Sequence, residues 1–273
     1  MANFRLGGFP PVTPVVKNLI IINALMFALR YVLQQKNIDL DVYLGLHYWQ
    51  SPLFRWWQPI THMFMHGSLE HILFNMLALY MFGSMLESFW GHERFLLFYF
   101  ICGVGAALCY MGVLTFEYTR FHSAFMYYQE HPTFVEYAQF IKHQNLYDSP
   151  IFSNLLTFWN ANPNCGNCAQ KGVELINDQY TAMMYEPMVG ASGAIMGLLF
   201  AFGYLFPNTI LYLYFAVPVK AKWFVAGYAV LELFLGVRNS AGDNVAHFAH
   251  LGGMLFAFIL LRIWNNKIRN RFY

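Results

Sequence analysis

Apolar residues in this chain gather into long runs of a kind that a water-soluble core would not need. Six stand out, at residues 15–33, 60–85, 95–114, 189–206, 223–237 and 245–264. A helix needs about 20 residues to cross the hydrocarbon of a bilayer. The runs therefore predict an all-α, polytopic membrane protein with about six spanning helices. The fifth run is short and carries Glu232, which is costly in lipid and is expected to face the interior of the bundle. A seventh run, residues 210–217, is too short to span and is bracketed by Pro207 and Pro218. It reads as an extended or interfacial connector.

Residues 116–188 separate the third and fourth runs and are far longer than an ordinary connection. The segment is rich in aromatic residues, among them Phe125, Tyr127, Tyr128, Phe134, Tyr137 and Phe140. Several of these fit an amphipathic helix that rests on the membrane surface or on the bundle. The whole chain, residues 1–273, thus reads as a single membrane domain carrying an insertion at 116–188, taken as a lineage-specific addition without a catalytic role. Within it, Cys165 and Cys168 form Cys-Gly-Asn-Cys in a polar loop. In an oxidising compartment such a pair closes a disulfide; the other reading is a zinc site that borrows His122, His131 or His143. Cys102 and Cys109, in an apolar run, read as packing residues.

Composition sharpens this picture. Hydrophobic residues make up 58% of the chain and charged residues 11%, against about 25% charged in soluble domains. A formal net charge of +2, with no basic tract, argues against a nucleic-acid partner; the partner environment is the lipid bilayer. No cleavable signal peptide is evident, so the first run is expected to be a retained span that directs insertion. Lysine and arginine set the orientation. With a cytoplasmic N-terminus, Arg5, Lys17, Arg94, Lys220, Lys222, Arg262, Lys267, Arg269 and Arg271 share the cytoplasmic side. Both termini are then cytoplasmic, residues 116–188 lie outside, and the expected location is a bacterial-type cell (inner) membrane.

Polar residues inside apolar runs carry the chemistry. Gly190-Ala191-Ser192-Gly193 opens the fourth run and continues to Gly197. A serine between glycines at a helix N-terminus is open to approach, and the free backbone N–H groups there can bind an oxyanion. Gly193 and Gly197 also form a small face for close helix packing. Ala249-His250-Leu251-Gly252-Gly253 opens the sixth run and, with Ala257, supplies a second small face. His250 is a candidate general base, and two small faces would bring it within reach of the Ser192 hydroxyl. In the second run, His71 and Asn75 share one helix face at spacing i, i+4, and both can donate to an oxyanion. His62 and His66 repeat that spacing and read as polar packing near the membrane border. In the orientation above, the second, fourth and sixth spans all start at the outer face, which puts Ser192, His250, His71 and Asn75 at one depth.

These motifs closely resemble the rhomboid family of intramembrane serine proteases: Gly-Ala-Ser-Gly at 190–193, Ala-His-x-x-Gly at 249–253, His-x-x-x-Asn at His71 and Asn75, and Leu86-Glu87-x-x-x-Gly91. The resemblance runs from about Trp56 to Trp264, apart from the insertion. It implies a six-helix rhomboid-like bundle and an intramembrane serine endopeptidase that uses a Ser–His dyad. Ser192 would be the nucleophile and His250 the general base, with an oxyanion hole of His71, Asn75 and the Ser192 backbone N–H. Gly190, Gly193, Gly197 and Gly253 would allow the close packing. The implied substrates are single-span membrane proteins with a helix-destabilising, small-residue cleavage region. Two positions depart from the family pattern. Trp57-Gln58 stands where Trp-Arg is common, and Met196 stands where many members pack a tyrosine on the catalytic histidine.

Other mechanisms find less in the sequence. A metalloprotease needs His-Glu-x-x-His, and neither His92-Glu93 nor Glu70-His71 provides it. No metal or cofactor is therefore expected. The confident spans hold no pair of aspartates for an aspartyl mechanism. Asp243, seven residues before His250, is expected to cap the helix entrance or to be a solvated loop charge. The main alternative is an inactive rhomboid-like protein that binds transmembrane clients without cutting them.

Overall fold

A computed structural model describes residues 11–213, 217–238 and 247–269. Arg5, Asp243 and Arg271 lie outside the described residues. Helix α1 runs Pro14–Gln34 and the short α2 Leu40–Leu44. Helix α3 spans Gln58–Thr61, followed by a 3₁₀ turn at His62–Phe64. The second expected run therefore does not begin a continuous helix at residue 60. The membrane helix starts at α4, Leu69–Ala78, passes through a π-helical turn at Leu79–Gly83, and continues as α5, Ser84–Trp90. Ser68 starts it by accepting the His71 backbone N–H, as an N-cap does. Helix α6 covers His92–Glu130, α7 Phe134–His143, α8 Pro150–Ala161 and α9 Cys168–Tyr185. Helix α10 follows at Ser192–Leu205, then strands β1, Ile210–Leu213, and β2, Val217–Lys220, and finally α11, Ala221–Arg238, and α12, His247–Arg269. The short apolar connector is thus an antiparallel hairpin, Leu211 opposite Val219 and Tyr212 opposite Pro218.

Four described helices are long and apolar enough to cross a membrane: Pro14–Gln34, Leu69–Trp90, His92–Glu130 and His247–Asn265. Helix α10 is apolar but has 14 residues, and α11 has 18. The outer surface fits the same environment. Leu25 and Val32 on α1, Leu73 and Phe74 on α4, Val230 and Phe234 on α11, and Leu255 and Ile263 on α12 are all exposed. Apolar exposure on this scale belongs to a membrane or partner surface, and the protein is an all-α polytopic membrane fold.

Helices α10, α12 and α6 pack on one another at the centre, around a core that includes Tyr99, Cys102, Ile195, Leu198, Ala257 and Leu261. A carboxylate fixes one end of the bundle. Glu87, buried near the end of α5, accepts the Thr13 hydroxyl, the backbone N–H groups of Val15 (3.0 Å) and Val16 (2.9 Å), and His92 Nδ1 (2.5 Å). It thereby occupies the unpaired N–H groups that open α1, and it ties the starts of α1 and α6 to the end of α5. At the same end, Trp90 meets Trp264 of α12 and Phe89 meets Phe206 after α10. The starts of α4, α10 and α12 consequently face the opposite end.

Helix α6 carries the third span without a break through residue 116, where the insertion was expected to begin. Its 39 residues amount to roughly 58 Å at 1.5 Å per residue, about twice the hydrocarbon thickness, so its second half must stand clear of the bilayer. There Phe121, Phe125 and Tyr128 of α6 join Tyr137 and Phe140 of α7, Phe152 and Trp159 of α8, and Ile176 of α9 in a second buried core. Thr133 caps α7 by accepting the Glu136 N–H. A disulfide joins Cys165 to Cys168 at the entry of α9, so the cysteines pair with each other and do not form half of a zinc site. The insertion reaches the bundle through Tyr118, which donates to the Met183 carbonyl and packs edge-on against Tyr48.

Two predictions follow from these contacts. Glu87→Ala leaves two backbone donors and a hydroxyl without their acceptor and should destabilise the protein by about 2–4 kcal/mol, measured by thermal or denaturant unfolding in detergent. The Cys165→Ser, Cys168→Ser double variant closes no loop and should lose stability on the low side of the roughly 2–4 kcal/mol of disulfides. Thiol counting should find only Cys102 and Cys109 free in the unreduced protein, and two free thiols at 165 and 168 would contradict the pairing.

Candidate functional site

The loop before α4 is built on a buried amide. Gln58 Oε1 accepts the backbone N–H groups of His47 (3.3 Å) and Arg55 (3.1 Å). Its Nε2 donates to the Leu53 carbonyl at 3.0 Å and lies 3.2 Å from His47 Nδ1. The neutral amide of Gln58 thus anchors this loop from within. One turn on, buried His62 places Nδ1 2.9 Å from the Gln58 carbonyl, and burial pushes its imidazole down to about 4. A neutral histidine donating to its own helix is a packing residue. His66 is also buried, with its ring edge-on to His71 at 5.0 Å.

This loop positions the segment that leads into α10. Leu46 and Met188 exchange both backbone hydrogen bonds, at 2.9 and 2.8 Å, and Gly190 N–H donates to the His62 carbonyl at 2.9 Å. Gly190 has φ +129°, a left-handed conformation that favours glycine. It also has no room for a side chain. A β-carbon there would lie 2.8 Å from His71 Nε2, and Ser192 Oγ is 3.6 Å from the same point. His71 of α4 and Ser192, the first residue of α10, therefore flank one small space. Asn75, one turn after His71, is buried, and its Nδ2 has no hydrogen-bond partner among the described residues.

Helix α12 meets α10 at the backbone. A β-carbon on Gly253 would fall 1.9 Å from the Gly193 carbonyl oxygen, and one on Gly197 would fall 3.1 Å from the Gly253 oxygen. A β-carbon on Gly193 would lie 3.6 Å from the carbonyl of Ala249, the residue before His250. The starts of the two helices are thus in register, Ser192 opening one and His250 in the first turn of the other. His250 is buried and close enough to His71 for the two rings to interact electrostatically. The structure thereby gathers Ser192, His250, His71, Asn75 and Gly190 at one end of the bundle, with Gly193, Gly197 and Gly253 at the contact that joins the helices.

Sequence reasoning placed Glu232 in the bundle interior but did not connect it with this site. It is buried on α11, and its Oε2 lies 2.7 Å from His247 Nδ1 and 3.0 Å from His250 Nδ1. The first contact is a hydrogen bond. The second is at ion-pair distance but off the line of a hydrogen bond. The signal in the sequence was a lone carboxylate in an apolar run together with two histidines at i, i+3 on one helix face. The three ligand atoms lie within 4.8 Å of one another, a grouping that a metal ion could also occupy.

Comparison with known proteins agrees with this architecture. The model of the Rhomboid domain matches residues 53–122 and 149–266, leaving only part of the insertion unmatched between them. An uncharacterised mitochondrial rhomboid protein of Schizosaccharomyces pombe is 28% identical over 78% of this chain and 53% of its own length. The mitochondrial RHOMBOID-like protein 12 of Arabidopsis thaliana is 26% identical over 94% of this chain and 60% of its own. Rhomboid protease AarA of Providencia stuartii is 31% identical over 39% of this chain and 38% of its own. The chain spans little more than half the length of the first two relatives. With a matched domain over more than half of its residues and the fold described above, the chain belongs to the rhomboid family of intramembrane proteases and their inactive relatives.

Proposed function

We propose that this protein is an intramembrane serine endopeptidase that cuts membrane proteins in or near their transmembrane segments. The observation that carries the reading is the backbone contact of α10 with α12, which sets Ser192 and His250 at adjacent helix starts with His71 across from the serine. In the reaction, His250 takes the Ser192 hydroxyl proton as Oγ attacks the peptide carbonyl carbon. Negative charge builds on the carbonyl oxygen, where His71, Asn75 and the Ser192 backbone N–H donate to it. The protonated His250 then gives its proton to the departing amine and leaves an acyl-enzyme on Ser192. His250 next activates a water that releases the acyl group and restores the serine. Asn75 supports this role because its amide nitrogen is buried without a hydrogen-bond partner among the described residues, a state whose cost a transition-state oxyanion would offset.

Substrates on this reading are single-span membrane proteins that enter from the bilayer and unwind locally near the start of α10. The protein is an integral membrane protein. Lysine and arginine favour the side of the α1 start and the α12 end for the cytoplasmic or matrix-like compartment, with the site facing the other way. The mitochondrial names of two relatives lend no support to a bacterial inner membrane in particular.

Cleavage of a panel of transmembrane segments in liposomes tests the proposal. Wild type should cut a subset, while Ser192→Ala and His250→Ala should be inactive although folded and inserted. A mechanism-based serine reagent should label Ser192 in the wild type alone. Near-normal turnover in Ser192→Ala would end the serine mechanism, and uncut capture of the same segments by wild type would favour a client-binding role. His71→Ala and Asn75→Ala should each lower kcat by about 10²- to 10³-fold with little change in KM. Unchanged kcat in both variants would make them structural.

A further inference from the structure

His250 is buried in the first turn of α12. The side chain that faces its Nδ1 is Glu232, at 3.0 Å. A carboxylate enclosed in an apolar bundle is costly unless its charge is compensated. Among the described residues, His247 and His250, one turn apart on α12, both turn Nδ1 toward Glu232 Oε2, and Tyr228, one turn before Glu232 on α11, faces the same carboxylate. A carboxylate at ion-pair distance from His250 Nδ1 favours a proton on that nitrogen and so leaves Nε2 to accept one. The ring is also stabilised as imidazolium once Nε2 holds one, which is the role of the third member in Ser–His–carboxylate triads. His247 keeps the shared oxygen in place by a hydrogen bond at 2.7 Å.

Resting on the reading of Ser192 and His250 as the dyad, we infer that Glu232 is the positioning residue of His250 and turns the dyad into a Ser192–His250–Glu232 triad braced by His247. Carboxylate and histidines sit on different helices, so the relation of α11 to α12 sets how well the base is aimed. Among the described residues, Tyr228 on α11 is also paired with Glu232, and His71 on α4 with His250.

Glu232→Gln tests this. The amide keeps the shape of the side chain but loses the charge and can offer an N–H to Nδ1, which favours the wrong tautomer. It should lower kcat by about 10²- to 10⁴-fold with KM little changed, and slow labelling of Ser192 by the serine reagent to match. A carboxylate beside the base steadies its protonated form, so the acid limb of kcat/KM should move in Glu232→Gln. A structural role would leave that limb in place. Glu232→Asp retains the charge and should recover part of kcat with the limb near the wild-type position. If Glu232→Gln does not fold, Glu232→Asp carries the test: kcat equal to wild type despite the withdrawn carboxylate would overturn the inference. Wild-type protein that is not labelled at Ser192 would overturn the serine mechanism itself. Labelling of Glu232→Gln at the wild-type rate with an unmoved limb would overturn the triad alone. Stoichiometric zinc in the purified protein, with turnover lost on chelation and restored by zinc, would make Glu232, His247 and His250 a metal site and overturn the positioning role.

Discussion

The site depends on the absence of side chains where α10 crosses α12. A single β-carbon on Gly253 would stand 1.9 Å from the Gly193 oxygen, a distance no packing adjustment accommodates without separating the helices. Backbone contact at that point leaves little freedom of slide or rotation. The depth of Ser192 relative to His250 therefore follows from where the glycines stand. In a bilayer this matters more than in water, because lipid gives no hydrophobic force to press helices together, and close van der Waals contact has to do it.

Around that contact, several buried polar groups have defined tasks. Glu87 fills the open N-terminus of α1 and fixes the far end of the bundle. Gln58 holds the loop from within, and that loop carries the backbone bonds that place Gly190. Ser68 caps α4 at the amide of His71, so the local start of that helix orients a residue of the site. Glu232 meets the two histidines of α12. The insertion meets this framework at its last residues, where Met188 pairs with Leu46. It has its own aromatic core at the second half of α6 and also touches the bundle where Tyr118 packs on Tyr48, at the edge of the loop that holds Gly190.

Much of this was legible in the sequence because it obeys local rules. Apolar runs of bilayer length announced the spans, and the small-residue spacing of Gly193, Gly197, Gly253 and Ala257 marked two faces able to approach. The i, i+4 pairing of His71 and Asn75 needed only helix geometry. Where local rules were insufficient, the reading fell short: the second run was taken as helix from residue 60, where the chain makes short turns until Leu69, and the third was ended at 114, where α6 continues to Glu130. Apolarity marks where lipid is, and a helix can continue past it when a second core receives its aromatic residues.

The sequence by itself determined the class of the protein, its helices and the residues able to carry chemistry, since each follows from composition or from spacing within one element. The tertiary structure alone decided which polar groups meet. Glu87 reaches amides 71 and 72 positions away, Gln58 reaches back to His47, and Glu232 on one helix faces two histidines on the next. A buried charge must find its partner wherever the fold brings one within about 3 Å, and no periodicity along the chain records that distance.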